Sequence, residues 1–318
     1  MKTKLSKFMD ITRIEFFITG QCGGKCRHCQ SGDDINKQDS HVLSDYAVRA
    51  VKQLASVYDI TSIMTFGGEP LYYPDVVAAI HEAATRCGIE TRQIITSGYF
   101  TNDAKKSEMV AQALANAGVN NLLLSVDAFH QEYIPLEPVY QFVRDVINAK
   151  IPGAFLYPSW LVSEEHQNPY NAKTKEILEK FSNLDIPVER GNTVQPQGHA
   201  AKYLREYYEK PELNLSEIGE PCSGPLDITS VSIVPNGDVE VCGGVIGNIY
   251  KNDILDSIAR YNPYENEIAL ALIQGGVAKL LDYAKTQGVV VDMSDYCEAC
   301  WSLCQAIKNR LKFQARTE

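Results

Sequence analysis

Three thiols sit close together near the start of the chain. They are Cys22, Cys26 and Cys29, in the run Cys-Gly-Gly-Lys-Cys-Arg-His-Cys. The spacing is C-x3-C-x2-C. Two glycines and no bulky apolar residue separate the first two, so the run reads as a loop able to wrap a ligand. Three thiolates are one short of the four that close a cubane iron–sulfur cluster, so one iron would stay open to an outside ligand. Zinc is the rival metal, but closed structural zinc sites take four ligands. His28 as the fourth would crowd the metal already bound by its neighbour Cys29.

A second set of thiols lies in the last third: Cys222, Cys242, Cys297, Cys300 and Cys304. Four thiolates close either a cubane or a zinc site, which leaves one over. If residues 300–304 are helical, Cys300 and Cys304 lie one turn apart on the same face. Cys87 stands alone at a helix end and reads as buried and inert. Gly67-Gly68-Glu69-Pro70 offers glycines that let the backbone approach a ligand and a carboxylate suited to an ammonium. The plainer reading is a tight turn before a helix. Ser97, Ser125 and Asp127 stand at strand ends, where such residues also serve turns and caps. His130 close behind either faces a substrate or is an ordinary hydrogen-bonded histidine.

The elements that must position these groups alternate strand and helix. Residues 12–19 read as a strand, rich in β-branched and aromatic types, and the cysteine loop follows it at once. Ser44 can cap a helix through about Val57, with Ala47, Val51 and Leu54 on one face. Strands are expected at 62–66, 91–96, 121–126, 153–157 and 187–193. Helices are expected at 74–87, 104–117, 138–149 and 170–182, two of them stopped by Gly88 and Gly118. The spacing is that of βαβ units in a parallel sheet. Each polar or glycine motif falls just after a strand, where the active sites of such folds gather. Beyond Ser223-Gly224-Pro225 the pattern changes. Ile228–Val234 alternates, Asn236-Gly237 reads as a hairpin turn and Val239–Val241 returns to Cys242. Residues 251–287 and a last stretch carrying Trp301, Leu303, Ile307 and Leu311 read as helical. Tyr72, Tyr73, Tyr157 and Trp160 are candidates for either pocket wall or core.

The 318 residues exceed one compact core and suggest a large domain plus a smaller one. No apolar run is long enough to span a membrane, and the charged start lacks the apolar stretch of a signal peptide. A cytoplasmic location is expected, where nine cysteines read as metal ligands rather than disulfides. The net charge of −10 argues against a nucleic-acid partner held by its phosphates. The basic tail residues Lys308, Arg310, Lys312 and Arg316 read as a solvated helix face.

The first cysteine run resembles the cluster motif of the radical SAM superfamily, C-x3-C-x-φ-C, with His28 in the usually aromatic φ place. The resemblance covers roughly residues 10–200. It implies a partial (β/α)6 TIM-like barrel, with a [4Fe-4S] cluster on Cys22, Cys26 and Cys29 and S-adenosylmethionine at the open iron. Reductive cleavage would then give a 5′-deoxyadenosyl radical. Gly67, Gly68, Glu69 and Pro70 match the family's GGEP motif, which holds the methionine amino group. Ser97, Ser125 and Asp127 stand where the family contacts the carboxylate and ribose, and His28 is expected beside the cofactor.

The second cysteine set resembles the SPASM and twitch auxiliary-cluster domains. A full SPASM domain carries seven cysteines and two clusters; five here imply one auxiliary [4Fe-4S] cluster. Its ligands would be Cys222, Cys242, Cys297 and Cys300, with Cys304 a spare thiol able to return hydrogen, as in peptide epimerases of this type. The implied domains are 1–200 for the barrel, 201–221 for a linker and 222–318 for a small β-hairpin and helix unit. The resemblance implies modification of a ribosomally made peptide by epimerisation, crosslinking or oxidation. An external low-potential electron donor, of flavodoxin or ferredoxin type, would supply the electron. Against a peptide, no separate leader-binding domain fits before residue 12. The alternatives are a small-molecule radical dehydrogenase and a non-catalytic iron–sulfur electron carrier.

Overall fold

A computed structural model of the chain describes residues 4–37, 39–208 and 219–289, together with 303, 304 and 307. Cys297 and Cys300, Trp301 and Leu311 of the expected last helix, and the basic tail residues lie outside the described residues.

The first strand, β1 (Met9–Phe17), runs at the centre of an eight-stranded sheet. On one side follow β2 (Ser62–Phe66), β3 (Thr91–Thr96), β4 (Asn121–Leu124) and β5 (Ala154–Leu156), each parallel to its neighbour. The helices between them are α1 (Ser44–Val57), α2 (Pro74–Arg86), α3 (Ala104–Asn116), the short α4 (Ala128–Gln131) and α5 (Leu136–Asn148). They cover one face of the sheet, as parallel strands require. Ala47, Ala50, Val51 and Leu54 are the buried stripe of α1, which contains the face read from the sequence. A separate parallel pair, β6 (Ser159–Leu161) and β7 (Asn192–Val194), brackets α6 (Pro169–Glu179). This is the α/β architecture expected, a sheet curled into part of a barrel.

The alternation in β1 slips once. Met9 and Ile11 are buried, then Ile14, Phe16 and Ile18, so the inward face shifts by one residue. The pairing register shifts at the same place, between Met9 and Arg13. A bulge re-aims the side chains that follow it, and Arg13, Glu15 and Phe17 thereby share the face opposite the core.

The strands described beyond residue 222 join the same sheet. Strand β8 (Ile228–Ile233) pairs parallel with β1, opposite β2, and β9 (Asp238–Val241) and β10 (Gly244–Asn248) add antiparallel strands outside it. The expected hairpin exists and, among the described residues, continues the barrel's own sheet. Two helices follow, α8 (Ile254–Ala259) and α9 (Glu267–Thr286), with a further short helix, α7 (His199–Tyr203), lying before the hairpin. The stretch read as helical over 251–287 divides into α8 and α9 at residues 260–266, where Pro263 opens a 3-10 turn. Helix α9 itself kinks at Gly276, which has φ +56° and whose Cβ position would lie 2.1 Å from the Glu220 carbonyl oxygen. No helix among the described residues is long and apolar enough to cross a membrane.

Candidate active site

The C-terminal ends of β1 to β5 lead to one cavity of about 530 Å³, lined by Phe17, Phe66, Thr96, Ser125 and Tyr157 at or just after them. Phe17, Phe66 and Ile95, the last apolar residues of β1, β2 and β3, form its floor. Cys22, Cys26 and Cys29 line one wall, and Ser125, His130, Tyr157, Ser159 and Asn192 stand in the others. A larger cleft of about 700 Å³ lies beside α6, lined by Leu156, Trp160 and Phe181, but it holds no cysteine. Chemistry belongs to the first.

The cysteine loop is held in place by its own backbone. The Cys22 N–H donates to the Asn36 side-chain oxygen at 2.8 Å, and Asn36 returns a bond to the Cys22 carbonyl at 3.0 Å. The Gly24 N–H donates to the Cys22 sulfur at 3.3 Å. A Cβ on Gly24 would lie 3.0 Å from Cys26 Sγ and 3.6 Å from Cys22 Sγ. The glycine therefore leaves the space between two sulfurs clear. Burial pushes the Cys22 thiol up to about 12 and raises Cys26 and Cys29 as well. Thiolates form in so dry a wall only with a cationic partner, which a metal centre provides. Three inward thiols and the cleared space over Gly24 fit an iron–sulfur cluster.

His28 lines the cavity with the three cysteines. Its ring packs on Phe129 at 4.8 Å and edge-on to His130 at 4.8 Å. Burial, then the charge of His130, lowers it to about 4, so it is a neutral ring at working pH. Its ring packs as an aromatic residue would in that place.

The Gly-Gly-Glu-Pro run is organised differently from its sequence reading. The Gly68 N–H donates to the Thr19 carbonyl and the Glu69 N–H to the Gln21 carbonyl, both at 2.7 Å. A Cβ on Gly68 would lie 2.1 Å from that Gln21 oxygen. The glycines let this turn approach the entry of the cysteine loop, whatever else they admit. The Glu69 carboxylate is fully buried. One oxygen accepts from the Leu71 N–H (3.0 Å) and the Thr96 hydroxyl (2.6 Å). The other accepts from the Ser97 N–H (2.9 Å) and hydroxyl (2.5 Å). Glu69 thus ties the end of β2 to the end of β3, and Pro70 starts a buried 3-10 turn behind it. Gly67, Gly68 and Ser97 reach the cavity while Glu69 stands behind them.

Asp127 also faces inward. Its carboxylate caps α4 through the Phe129 and His130 N–H groups, each 3.0 Å, and accepts the Ser159 N–H at 3.0 Å. It further receives His130 Nδ1 at 2.9 Å. It has no exposed surface and fixes the His130 ring, which stands in the cavity wall. Burial alone would push the carboxyl up, but the charge and hydrogen bond of His130 outweigh it and hold Asp127 at about 2. Asp127 raises His130 in turn against burial. A depressed carboxylate contributes stability above its unfolded value of 3.8, lost as pH falls toward about 2. The raised histidine contributes below its ordinary 6.5, and that part is lost as pH climbs through the folded value. The stability gap between wild type and Asp127→Asn is therefore expected to be widest between pH 4 and 6 and to narrow on either side. Denaturant melts across pH check this, and a flat gap would refute the pairing.

Among the four aromatic candidates, Tyr157 lines the cavity and donates to Asn192 at 2.9 Å. Tyr73 donates to Gln21 and stacks on His41. A Cβ on Gly23 would lie 3.0 Å from the Tyr72 hydroxyl, which puts Tyr72 against the cysteine loop. Trp160 is buried in the other cleft. Cys87 is exposed rather than buried. Asn192, Ser159 and His199 went unseen in the sequence. The first two belong to strands too short to show alternation, and Gly198 before His199 was the one available signal.

The second cysteine set is partly visible. Cys222 and Cys242, twenty residues apart in sequence, meet over Gly224, where a Cβ would lie 2.8 Å from Cys242 Sγ and 3.4 Å from Cys222 Sγ. The Cys222 N–H donates to the Leu272 carbonyl of α9 at 2.9 Å. Cys222 and Cys304 pack on the same apolar cluster, around Leu272, Leu280, Leu303 and Ile307.

Comparison with known proteins fits this geometry. The model of the Radical SAM superfamily matches residues 16–197. A GTP 3′,8-cyclase of Listeria monocytogenes is 27% identical over 70% of the chain and 64% of its own length. That of Limosilactobacillus fermentum is 33% identical over 39% of the chain and 35% of its own. The chain thus spans under two thirds of the curated relatives it matches. Native anSMEcpe with bound AdoMet superposes with a TM-score of 0.54 at 13% identity, over 96% of this chain and 99% of that one. These relatives overturn the expected peptide substrate and peptide partner: they are named for GTP, a small molecule. The resemblance that suggested a peptide rested on tail cysteines, which report on clusters and not on substrate.

Proposed function

Because the chain belongs to the radical SAM superfamily, we propose that it is an enzyme whose bound cluster and S-adenosylmethionine supply a 5′-deoxyadenosyl radical for hydrogen abstraction from a small polar molecule. The observation that carries the reading is the single cavity shared by three thiols and a wall of hydroxyl and amide groups. Cys22, Cys26 and Cys29 hold the cluster. Gly67, Gly68, Ser97 and Ser125 shape the side where S-adenosylmethionine binds, and His28 packs behind it. Tyr157, Ser159 and Asn192 orient the substrate, since hydroxyls and amides discriminate polar small molecules by hydrogen bonding.

Radical dehydrogenation is the reaction favoured here. Its support is the meeting of Cys222 and Cys242 at Gly224, which suits an auxiliary cluster of the twitch kind able to accept an electron. Cys297 and Cys300 would complete it from outside the described residues, and Cys304 is proposed as its neighbour. The second reading is cyclisation of GTP, favoured by the relatives' names. Against it, Lys25 is the one lysine or arginine among the described residues lining the cavity, and a triphosphate calls for several.

The test is anaerobic turnover with S-adenosylmethionine and dithionite, reading 5′-deoxyadenosine by mass. One arm receives a cell extract filtered to small molecules, the other ribose-deuterated GTP. Stimulation by the extract without deuterium transfer from GTP supports dehydrogenation. Deuterium in the deoxyadenosine supports cyclisation. A response to neither refutes the small-molecule reading.

A further inference from the structure

The cysteine loop needs two anchors, because its three sulfurs must hold fixed positions while the loop itself is short and rich in glycine. Asn36 supplies the first, at Cys22. The second comes from far along the chain. The His199 N–H donates to the Cys29 carbonyl at 2.9 Å. The His199 ring places Nδ1 3.1 Å from the Cys26 carbonyl and Nε2 3.0 Å from an Asp33 carboxylate oxygen. The ring is largely buried, with 13% of the side chain exposed, and it borders the cavity.

The turn that delivers this histidine is built for close approach. Gly198 has φ +55°, and a Cβ there would lie 2.3 Å from the Gln30 carbonyl oxygen and 2.6 Å from that of Cys29. Gly32, with φ +52°, stands against it, its own Cβ position 3.2 Å from the Gly198 Cα. Two glycines in the left-handed region face each other so that two backbones can touch. The Cys26 carbonyl already accepts the Cys29 N–H, and the Cys29 carbonyl accepts the Gly32 N–H, both at 3.1 Å. The His199 N–H therefore adds a second donor to the Cys29 carbonyl, and the ring, in the tautomer with the proton on Nδ1, adds one to the Cys26 carbonyl.

We propose that Gly198-His199 is a latch on the cluster loop, and that His199 is a positioning residue governing how firmly Cys26 and Cys29 retain iron. The proposal rests on the three-thiol cluster described above. Groups that orient metal ligands without touching the metal commonly govern affinity. The Asp33 contact contributes less, since that carboxylate is 64% exposed and open to solvent screening.

The test uses full-length protein reconstituted anaerobically with iron and sulfide, then challenged with a ferrous-iron chelator. A Cys22/Cys26/Cys29→Ala variant gives the baseline from any other iron. Above that baseline, His199→Ala is expected to release iron roughly tenfold faster than wild type. His199→Asn keeps a side-chain N–H near the Nδ1 position but cannot reach Asp33, and is expected to release iron at close to the wild-type rate. Melting of the iron-free proteins is followed alongside. Release by His199→Ala at the wild-type rate overturns the latch, as does equal release by the Ala and Asn variants. If His199→Ala does not fold, the Asn variant decides: wild-type retention supports the latch and fast release overturns it. Equal iron in wild type and the triple variant overturns the cluster reading itself, and the latch with it.

Discussion

Replacing Cys22, Cys26 and Cys29 together by alanine is expected to bring S-adenosylmethionine cleavage down to background while leaving the barrel folded. The three side chains contribute little to the core: Cys26 is the only one fully buried, at 7% exposure, and it packs at the edge of a small cluster with Phe129 and Leu161. Their removal takes away the donor set without emptying a large volume. Any iron held at the proposed tail site should remain, because Cys222 and Cys242 meet over Gly224, on another part of the chain. The measurement is 5′-deoxyadenosine under reducing anaerobic conditions, with iron and visible absorbance counted in parallel. Full cleavage in the triple variant would remove these thiols from the chemistry. Loss of all iron would show that the two cysteine sets do not assemble independently.

The wall of thiols was legible because metal chemistry needs particular residue types at short spacing, and short spacing survives in sequence. The βα order was legible for a similar reason. Strands buried on both faces read as apolar runs and helices as stripes, and the limits read for α1, β2 and β3 match those observed. What the sequence hid were contacts made across distance. His199 reaches a loop about 170 residues earlier, and no local pattern encodes that. The three-residue strand β6 was hidden for another reason, and the strand read at 187–193 is observed only as β7 at its end, since three residues carry no measurable period. The kink in α9 was missed because Gly275-Gly276 lies inside an otherwise helical run, and only the Glu220 carbonyl pressing on it shows why it breaks. Asp127 and Glu69 read in the sequence as cofactor contacts at strand ends. Their carboxylates point at backbone and hydroxyl donors, and a side chain's direction is not written in its neighbours.

Glu69 gives the sharpest contrast between reading a motif and reading its geometry. A carboxylate that touches the methionine ammonium and one that only shapes the wall predict different results. In the first case Glu69→Gln weakens S-adenosylmethionine binding and leaves the cofactor-free protein as stable as wild type. In the second case stability falls before any ligand is added. The structure gives Glu69 four donors from Leu71, Thr96 and Ser97 and no exposed surface. Glu69→Ala would leave those donors buried without an acceptor, a loss of about 3–5 kcal/mol by analogy with breaking a buried ionic network. For a chain of this size that is on the order of 10 °C in melting temperature. Glu69→Gln keeps the volume but turns one acceptor into an N–H₂ facing N–H and O–H donors, which costs about 1–3 kcal/mol. Both variants are therefore expected to melt lower as iron-free protein, Ala further than Gln. Weaker S-adenosylmethionine binding should follow as the Gly67-Gly68 and Ser97 walls lose their tie. Thermal melts of the iron-free proteins, set beside binding to the reconstituted ones, separate the two cases. An unchanged melt in Glu69→Gln with lost affinity would return the carboxylate to direct contact with the cofactor.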